Sequence, residues 1–195
     1  MKLHDIIFAA ATGFCVAFIF ADFAASSQFY YLAWHLFWLF PIMSVAGLWM
    51  CELSGKKFNF IIHEAGKFFL VGAFSAVVDI KVYQIFAWVL AFAFASSIIS
   101  KCISFLFATA VKYGGNKIWV FEKNGKDGIK KEIVQFTIIT LVGMIIDVAV
   151  FYCATTWLQP QSISEHIWTE ISIIIAALVA AVWNFLGYKF IVFKR

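Results

Sequence analysis

The sequence predicts an all-α membrane protein: a polytopic bundle of six transmembrane helices, the last four of them a tandem repeat of two helical hairpins. Three observations predict it. Hydrophobic residues make up 64% of the chain and charged residues 13%, about half the charged share of a water-soluble domain. With a mean hydropathy of +0.91, that composition excludes an ordinary soluble fold. Several apolar runs reach the ~20 residues that cross a ~30 Å hydrocarbon layer as a helix. They are unbroken, unlike the ~10-residue alternating segments of a membrane barrel.

The third observation is duplication. Lys67-Phe68-Phe69-Leu70-Val71-Gly72, leading to Val77-Val78-Asp79, has a counterpart in Gln135-Phe136-Thr137-Ile138-Ile139, leading to Ile145-Ile146-Asp147, at an offset of 68 (147 against 79). The closing Tyr113-Gly114-Gly115-Asn116-Lys117-Ile118-Trp119-Val120-Phe121 matches Phe185-Leu186-Gly187-Tyr188-Lys189-Phe190-Ile191-Val192-Phe193 at an offset of 72 (189 against 117). Each copy is an apolar run, an uncharged turn, a second apolar run and a basic aromatic end. Neither copy can bury an inward face alone, so the two are expected to pack around whatever the protein handles.

Along the chain, residues 6–25 form the first predicted span. Met1-Lys2-Leu3-His4-Asp5 is a poor positive leader, and Ala21-Asp22-Phe23 puts a Phe where cleavage wants a small residue, so this run is expected to stay as a helix. Residues 30–51 form the second span, kinked or opened at Pro41, which removes a backbone donor. Tyr30, Tyr31, Trp34 and Trp38 recur at helical spacing near its start. An interfacial belt is one reading of them; a platform for a sugar ring is the other. Residues 52–66 are the first polar stretch, of which 58–62 are expected to lie along the interface. Residues 67–90 and 96–112 form the third and fourth spans, and 133–158 and 168–188 the fifth and sixth. The basic loop 116–132 carries turn signals at Asn124-Gly125 and Asp127-Gly128. The domains read as an N-terminal hairpin, 1–58, and a four-helix domain, 67–195, with repeats at 67–122 and 135–195.

A net charge of +4 is no nucleic-acid signal here, because its placement follows membrane topology. Of fifteen Lys and Arg, thirteen fall on one side of a six-span arrangement: Lys2, Lys56, Lys57, Lys67, Lys112, Lys117, Lys123, Lys126, Lys130, Lys131, Lys189, Lys194 and Arg195. The opposite connections, 22–29, 91–95 and 159–167, hold none. The positive-inside bias therefore puts both termini in the cytoplasm.

The remaining two lysines, Lys81 and Lys101, lie inside apolar runs with Asp79 and Asp147. A charge at mid-bilayer costs ~2.5–3.5 kcal/mol even on the lenient scale, so such residues are functional candidates. Asp79 follows Lys67 by twelve positions, which at ~1.5 Å per residue sets it near the midplane. Asp147 has the matching depth in the second copy. A structural ion pair of Asp79 with Lys101 is one reading. Against it, Asp147 has no equally placed lysine in its own hairpin, and both copies keep the acid, so a binding site between the copies is expected. At the cytoplasmic ends, Lys117 and Lys189 stand among Tyr113, Trp119, Phe121, Phe185 and Phe193. They are either snorkelling anchors or paired ammonium groups that capture a lipid phosphate.

Small residues in the fourth and sixth spans (Ala108, Ala110, Ala176, Ala177, Ala180, Ala181) favour close helix approach. His4, His35, His63 and His166 lack ligand spacing, and no phosphate loop or hydrolase motif appears, so nothing supports a catalytic enzyme or a metal site. Cys15, Cys51, Cys102 and Cys153 read as buried structural thiols.

The spans from Lys67 onward resemble the GtrA-like family. Its repeats open with a Phe-Leu/Val-Gly stretch, carry an Asp in the first helix and end in a pattern like N-F-x-x-N-R/K-x-W-x-F. The first copy keeps Asn116, Lys117, Trp119 and Phe121 of that pattern, with Lys112 where the first Asn belongs; the second keeps Asn184, Phe185, Lys189 and Phe193, with Tyr188 at the second Asn and Ile191 at the Trp. Lysine replaces arginine in both, which weakens a bidentate phosphate grip. The resemblance implies a translocator that moves a polyprenyl-phosphate-linked monosaccharide from the cytoplasmic to the outer leaflet for envelope polysaccharide glycosylation. The implied location is the bacterial inner membrane. Lys117 and Lys189 would hold the phosphate, while Asp79, Asp147, Lys101, Asn116 and Asn184 would line the sugar's path. No cofactor and no nucleic acid is implied. The implied partners are the sugar lipid, membrane lipids and a membrane glycosyltransferase, with a homodimer expected because four core spans make a thin pathway wall.

Two other readings remain open: an ion-coupled transporter of small cationic solutes, and a scaffold that recruits a glycosyltransferase without transporting. The topology itself is testable. In a chain stripped of its own cysteines, Gln161→Cys should react with an impermeant maleimide on intact cells and Lys126→Cys only after lysis; the reverse pattern would invert the assignment.

Overall fold

The structure, a computed structural model, describes residues 1–25, 30–57, 61–91, 96–123, 125, 128–158, 160 and 165–194. The described residues contain no strand. Six α-helices follow one another: α1 (Leu3–Ala25), α2 (Tyr30–Lys57), α3 (Ile61–Val89), α4 (Ser96–Gly115), α5 (Ile129–Trp157) and α6 (Glu165–Gly187). Short π-helical segments, Asn116–Val120 and Tyr188–Val192, continue α4 and α6.

Five stretches are long and apolar enough to cross a membrane: Leu3–Ala21, Phe37–Lys56, Ile61–Val89, Ile129–Trp157 and Ile171–Val192. The chain is thus a multi-pass membrane protein. Helix α4 is not among the five. Its 20 residues reach ~30 Å, but Ser96, Ser97, Ser100, Ser104, Lys101 and Lys112 dilute its apolar character. Helices α2 and α3 overrun their expected bounds, so His63 to Gly66 belong to α3 and only 58–60 of the expected interfacial stretch lie outside the described residues.

Two compact units make up the chain, Met1–Glu122 and Lys123–Arg195. In the first, α1 packs on α2, α3 on α4, and both α1 and α2 on α3. In the second, α5 packs on α6. The N-terminal pair is therefore part of the same body as the first repeated stretch.

Each pair comes close where a side chain is missing. A Cβ on Gly13 of α1 would fall 2.5 Å from the Pro41 Cα and 2.8 Å from the Phe40 carbonyl oxygen. Pro41 sits inside α2, and α1 crosses there, backbone to backbone. The other two pairs close alike: a Cβ on Gly115 would stand 2.8 Å from Val71 Cγ1, and one on Gly187 2.6 Å from Ile139 Cγ2. These contacts carry the sequence offsets of 68 on the first helix and 72 on the second.

Large apolar side chains such as Phe69, Trp88, Leu106, Ile145, Leu178 and Val182 lie exposed along the helices. In lipid such exposure costs nothing, because acyl chains are as apolar as they are. The cysteines differ from expectation: Cys15, Cys51 and Cys153 are half-buried and Cys102 is exposed, all as free thiols. Lipid-facing positions tolerate a small apolar thiol as readily as a protein core does.

Gly13→Ala should lower the melting temperature of the detergent-solubilised protein, with a cost of about 1–3 kcal/mol for forcing two backbones apart. A Cβ on Gly47 meets nothing within 4 Å, so Gly47→Ala should be neutral or gain up to ~1 kcal/mol of helix propensity. Equal losses from both would remove the close approach as the cause.

Candidate functional site

The two hairpins end in the same way. An α-helix gives way to a π turn in which Phe121 N–H donates to the Asn116 carbonyl at 2.9 Å, and Phe193 N–H to the Tyr188 carbonyl at 2.8 Å. The preceding glycines, Gly115 and Gly187, have nearly identical dihedrals (φ −61, ψ −44 and φ −61, ψ −43). A π turn holds one residue more than an α turn and so re-aims the side chains that follow, which is why such turns recur at functional sites. In both cases the second residue of the segment is the predicted lysine, Lys117 or Lys189.

Lys117 is buried, its ammonium 5.8 Å from the Tyr113 ring centroid. Lys189 is half-buried, its ammonium 6.0 Å from Phe185 and 5.9 Å from Phe190. Aromatic faces stabilise a desolvated cation. The rest of each segment is packed: Phe8 lies 4.2 Å from Trp119 in the first unit, while in the second Tyr188 stacks on Phe136 at 4.5 Å and its hydroxyl meets Thr140 at 2.6 Å. Asn116 is fully buried and its amide nitrogen donates to the Lys112 carbonyl at 2.7 Å. Asn184 lies against Gly143, where any Cβ would fall 2.5 Å from its Oδ1.

Within the first unit, the predicted intramembrane residues meet. Lys101 Nζ lies 2.5 Å from Asp79 Oδ2, and Ser104 donates its hydroxyl to Asp79 Oδ1 at 2.6 Å. Both carboxylate oxygens are engaged, so the ion-pair reading of Asp79 with Lys101 holds. Ser104 was missed in the sequence; it lies one turn beyond Lys101 on the same helix face. Lys81 stands 5.9 Å from the Phe18 ring. Asp147 is half-buried on α5. Trp38 is exposed and lies edge-on to Phe14 at 6.1 Å, whereas the side chains of Tyr30, Tyr31 and Trp34 lie outside the described residues.

A further cluster was not predicted. At the end of the first unit where α1 starts and α4 finishes, Asp5 is buried at 2% exposure. Trp119 Nε1 donates to its Oδ1 at 2.7 Å, and Lys67 Nζ reaches the same oxygen at 3.0 Å. The Lys2 backbone N–H donates to Oδ2 at 3.2 Å. Beside this cluster opens a cavity of about 360 Å³ lined by Lys2, Asp5, Glu52, Lys56, His63, Glu64, Lys67 and Glu122, among others. Each of two carboxylates there takes two cations: the amino terminus and Lys56 reach Glu52 at 2.7 and 2.9 Å, and Lys2 and Lys67 reach Glu122 at 3.4 and 3.7 Å. It is an ion-pair network more than an anion site. The signal for it was Asp5 itself, an acid immediately before the first apolar run.

A family model described as GtrA/DPMS, transmembrane domain, matches residues 67–193. The chain belongs to this family. It is thereby a membrane protein of the lipid-linked sugar translocation family. No match was found among curated proteins or among solved structures. The GtrA/DPMS domain takes in both π-helical closings and both membrane acids, while α1 and α2 precede it and attach to its first half through Asp5. Trp119, which the family pattern contains, is the residue that binds that carboxylate.

Asp5→Ala should cost ~3–5 kcal/mol by leaving Lys67 buried without its nearest counter-ion, read as a drop in thermal stability in detergent. Adding Lys67→Met should recover most of the loss. Strictly additive losses would show that the two charges do not act on each other.

Proposed function

We propose that the protein is a flippase carrying a polyprenyl-phosphate-linked monosaccharide from the cytoplasmic to the outer leaflet of the bacterial inner membrane, for glycosylation of an envelope polysaccharide. The observation that carries this reading is the repeated closing: twice, a π turn presents a lysine among aromatic rings at the end of a membrane hairpin. Family membership supplies the substrate class. On this reading the two hairpins are copies of one unit, both termini are cytoplasmic, and Lys117 and Lys189 hold the phosphate at headgroup depth. Their ammonium groups act as point charges without the forked geometry of arginine, which suits a ligand that must leave again.

The sugar then passes along polar groups within the bilayer, where Lys101 with Asp79, Asp147, Asn116 and Asn184 offer donors and acceptors to its hydroxyls. The isoprenoid tail stays in lipid, so only the head needs a path. The protein works as a translocator and not as an enzyme, with a membrane glycosyltransferase on one side of its pathway and a homodimer as its working form.

Purified protein in vesicles should move a fluorescent polyprenyl-phosphate sugar between leaflets, read by quenching from outside. Lys117→Gln with Lys189→Gln should slow the initial rate on the order of tenfold, which is ~1.4 kcal/mol of lost phosphate contact, with melting temperature unchanged. Unchanged transport would remove the lysines from the site. Absence of transport by the unaltered protein, with recovery of a glycosyltransferase in its complex, would favour the scaffold.

A further inference from the structure

The first lysine-bearing turn is held from outside its own hairpin, by the start of α1. Trp119 follows Lys117 by two positions in the π segment. Such a turn takes about one residue more than the 3.6 of an α turn, so two positions make a little under half of it. Lys117 and Trp119 therefore leave opposite sides of the segment, and a hold on the one sets where the other points.

Three contacts hold Trp119. Its Nε1–H donates to Asp5 Oδ1 at 2.7 Å, the Phe8 ring lies 4.2 Å away, and the Lys67 ammonium stands 5.4 Å from its ring centroid. Two of the three come from α1. Asp5 and Trp119 are both buried, so water does not compete for the bond between them. The grip continues past the turn. Glu122 has a left-handed backbone, φ 47°, which a non-glycine residue keeps only where its surroundings enforce it. Its carboxylate meets Lys2, just before α1, at 3.4 Å and Lys67 at 3.7 Å.

The second turn is held differently. Ile191 and Lys194 stand at the positions of Trp119 and Glu122, at the offset of 72. Isoleucine has no donor to offer a carboxylate, and lysine carries the charge opposite to glutamate's. The contacts on this turn come from α5: Phe136 stacks on Tyr188, and Thr140 meets its hydroxyl.

We propose that Asp5 is a positioning residue: through Trp119 it sets the ammonium of Lys117, so that the N-terminal helices, which precede the family domain, govern the first of the two lysines and not the second. That Lys117 holds a lipid phosphate rests on the flippase reading. The coupling of Asp5 to Lys117 rests on the contacts alone.

Amine labelling tests the coupling without substrate. The purified full chain in lipid vesicles is treated briefly with an acetylating succinimidyl ester, and label at Lys117 and Lys189 is read by mass spectrometry. Asp5→Asn should raise label at Lys117 at least fivefold and leave Lys189 within twofold; Lys189, in the same molecules, reports any general loosening. Trp119→Phe keeps a ring against Phe8 but removes the donor, and it should act in the same direction, so it carries the test should Asp5→Asn fail to fold. Transport of a fluorescent polyprenyl-phosphate sugar then separates positioning from stability. Asp5→Asn should raise KM about fivefold with kcat within twofold, do the same in Lys189→Gln, and change neither in Lys117→Gln. An equal rise of label at both lysines, label at Lys117 indifferent to both variants, or a further loss from Asp5→Asn in Lys117→Gln would overturn the proposal. Labelling as expected in a chain that moves no sugar lipid would remove the flippase reading and leave the coupling standing.

Discussion

Below the headgroups, a charge must find its opposite nearby or give itself up, and this constraint organises the protein. The first unit meets it twice. Asp5 is enclosed by Lys67, Trp119 and the Lys2 backbone N–H, and Asp79 by Lys101 and Ser104. In both places one carboxylate ties helices together: α1 to α3 and the segment that ends α4, and α3 to α4. The net stabilisation from such a pair is small, since desolvation offsets most of the Coulomb attraction. Its effect is on specificity, because any other pairing of these helices would strand a charge in lipid.

Helix packing between the charges follows a second rule, that backbones close only where side chains are absent. Gly13 on Pro41, Gly115 on Val71 and Gly187 on Ile139 each sit at or near one end of a helix pair or at its crossing. Without a hydrophobic drive between helices in lipid, such close van der Waals contact is what holds them together. The two glycines at the closings also precede the π turns. The same residue that lets the helices meet therefore stands where the helix widens and the lysine is presented.

Much of this was legible in the sequence. Helix number and order followed from the length of the apolar runs, whereas the ion pair of Asp79 with Lys101 was there only as the reading set aside for a site between the copies. The π turns were not legible. Asn116 to Val120 has nothing in its composition that forbids an α-helix; the extra residue is set by packing of Trp119, Val120 and Phe121, all buried. The Asp5 cluster was hidden for another reason: its partners are more than sixty and more than a hundred positions away, and no local pattern spans that distance. Ser104 was passed over because serine in a helix usually bonds its own backbone, as Ser44 does to the Phe40 carbonyl.

The two hairpins share an acid, at 79 and 147, and a lysine, at 117 and 189. The partners of the acid differ: Lys101 and Ser104 face Asp79, whereas Ile173 and Ala176 hold the positions at an offset of 72. The latch to the N-terminal pair is one-sided too, since Lys67 and Trp119 correspond to Gln135 and Ile191. The first hairpin is thus secured by charge at both depths, and the second by apolar and aromatic packing such as Phe136 on Tyr188.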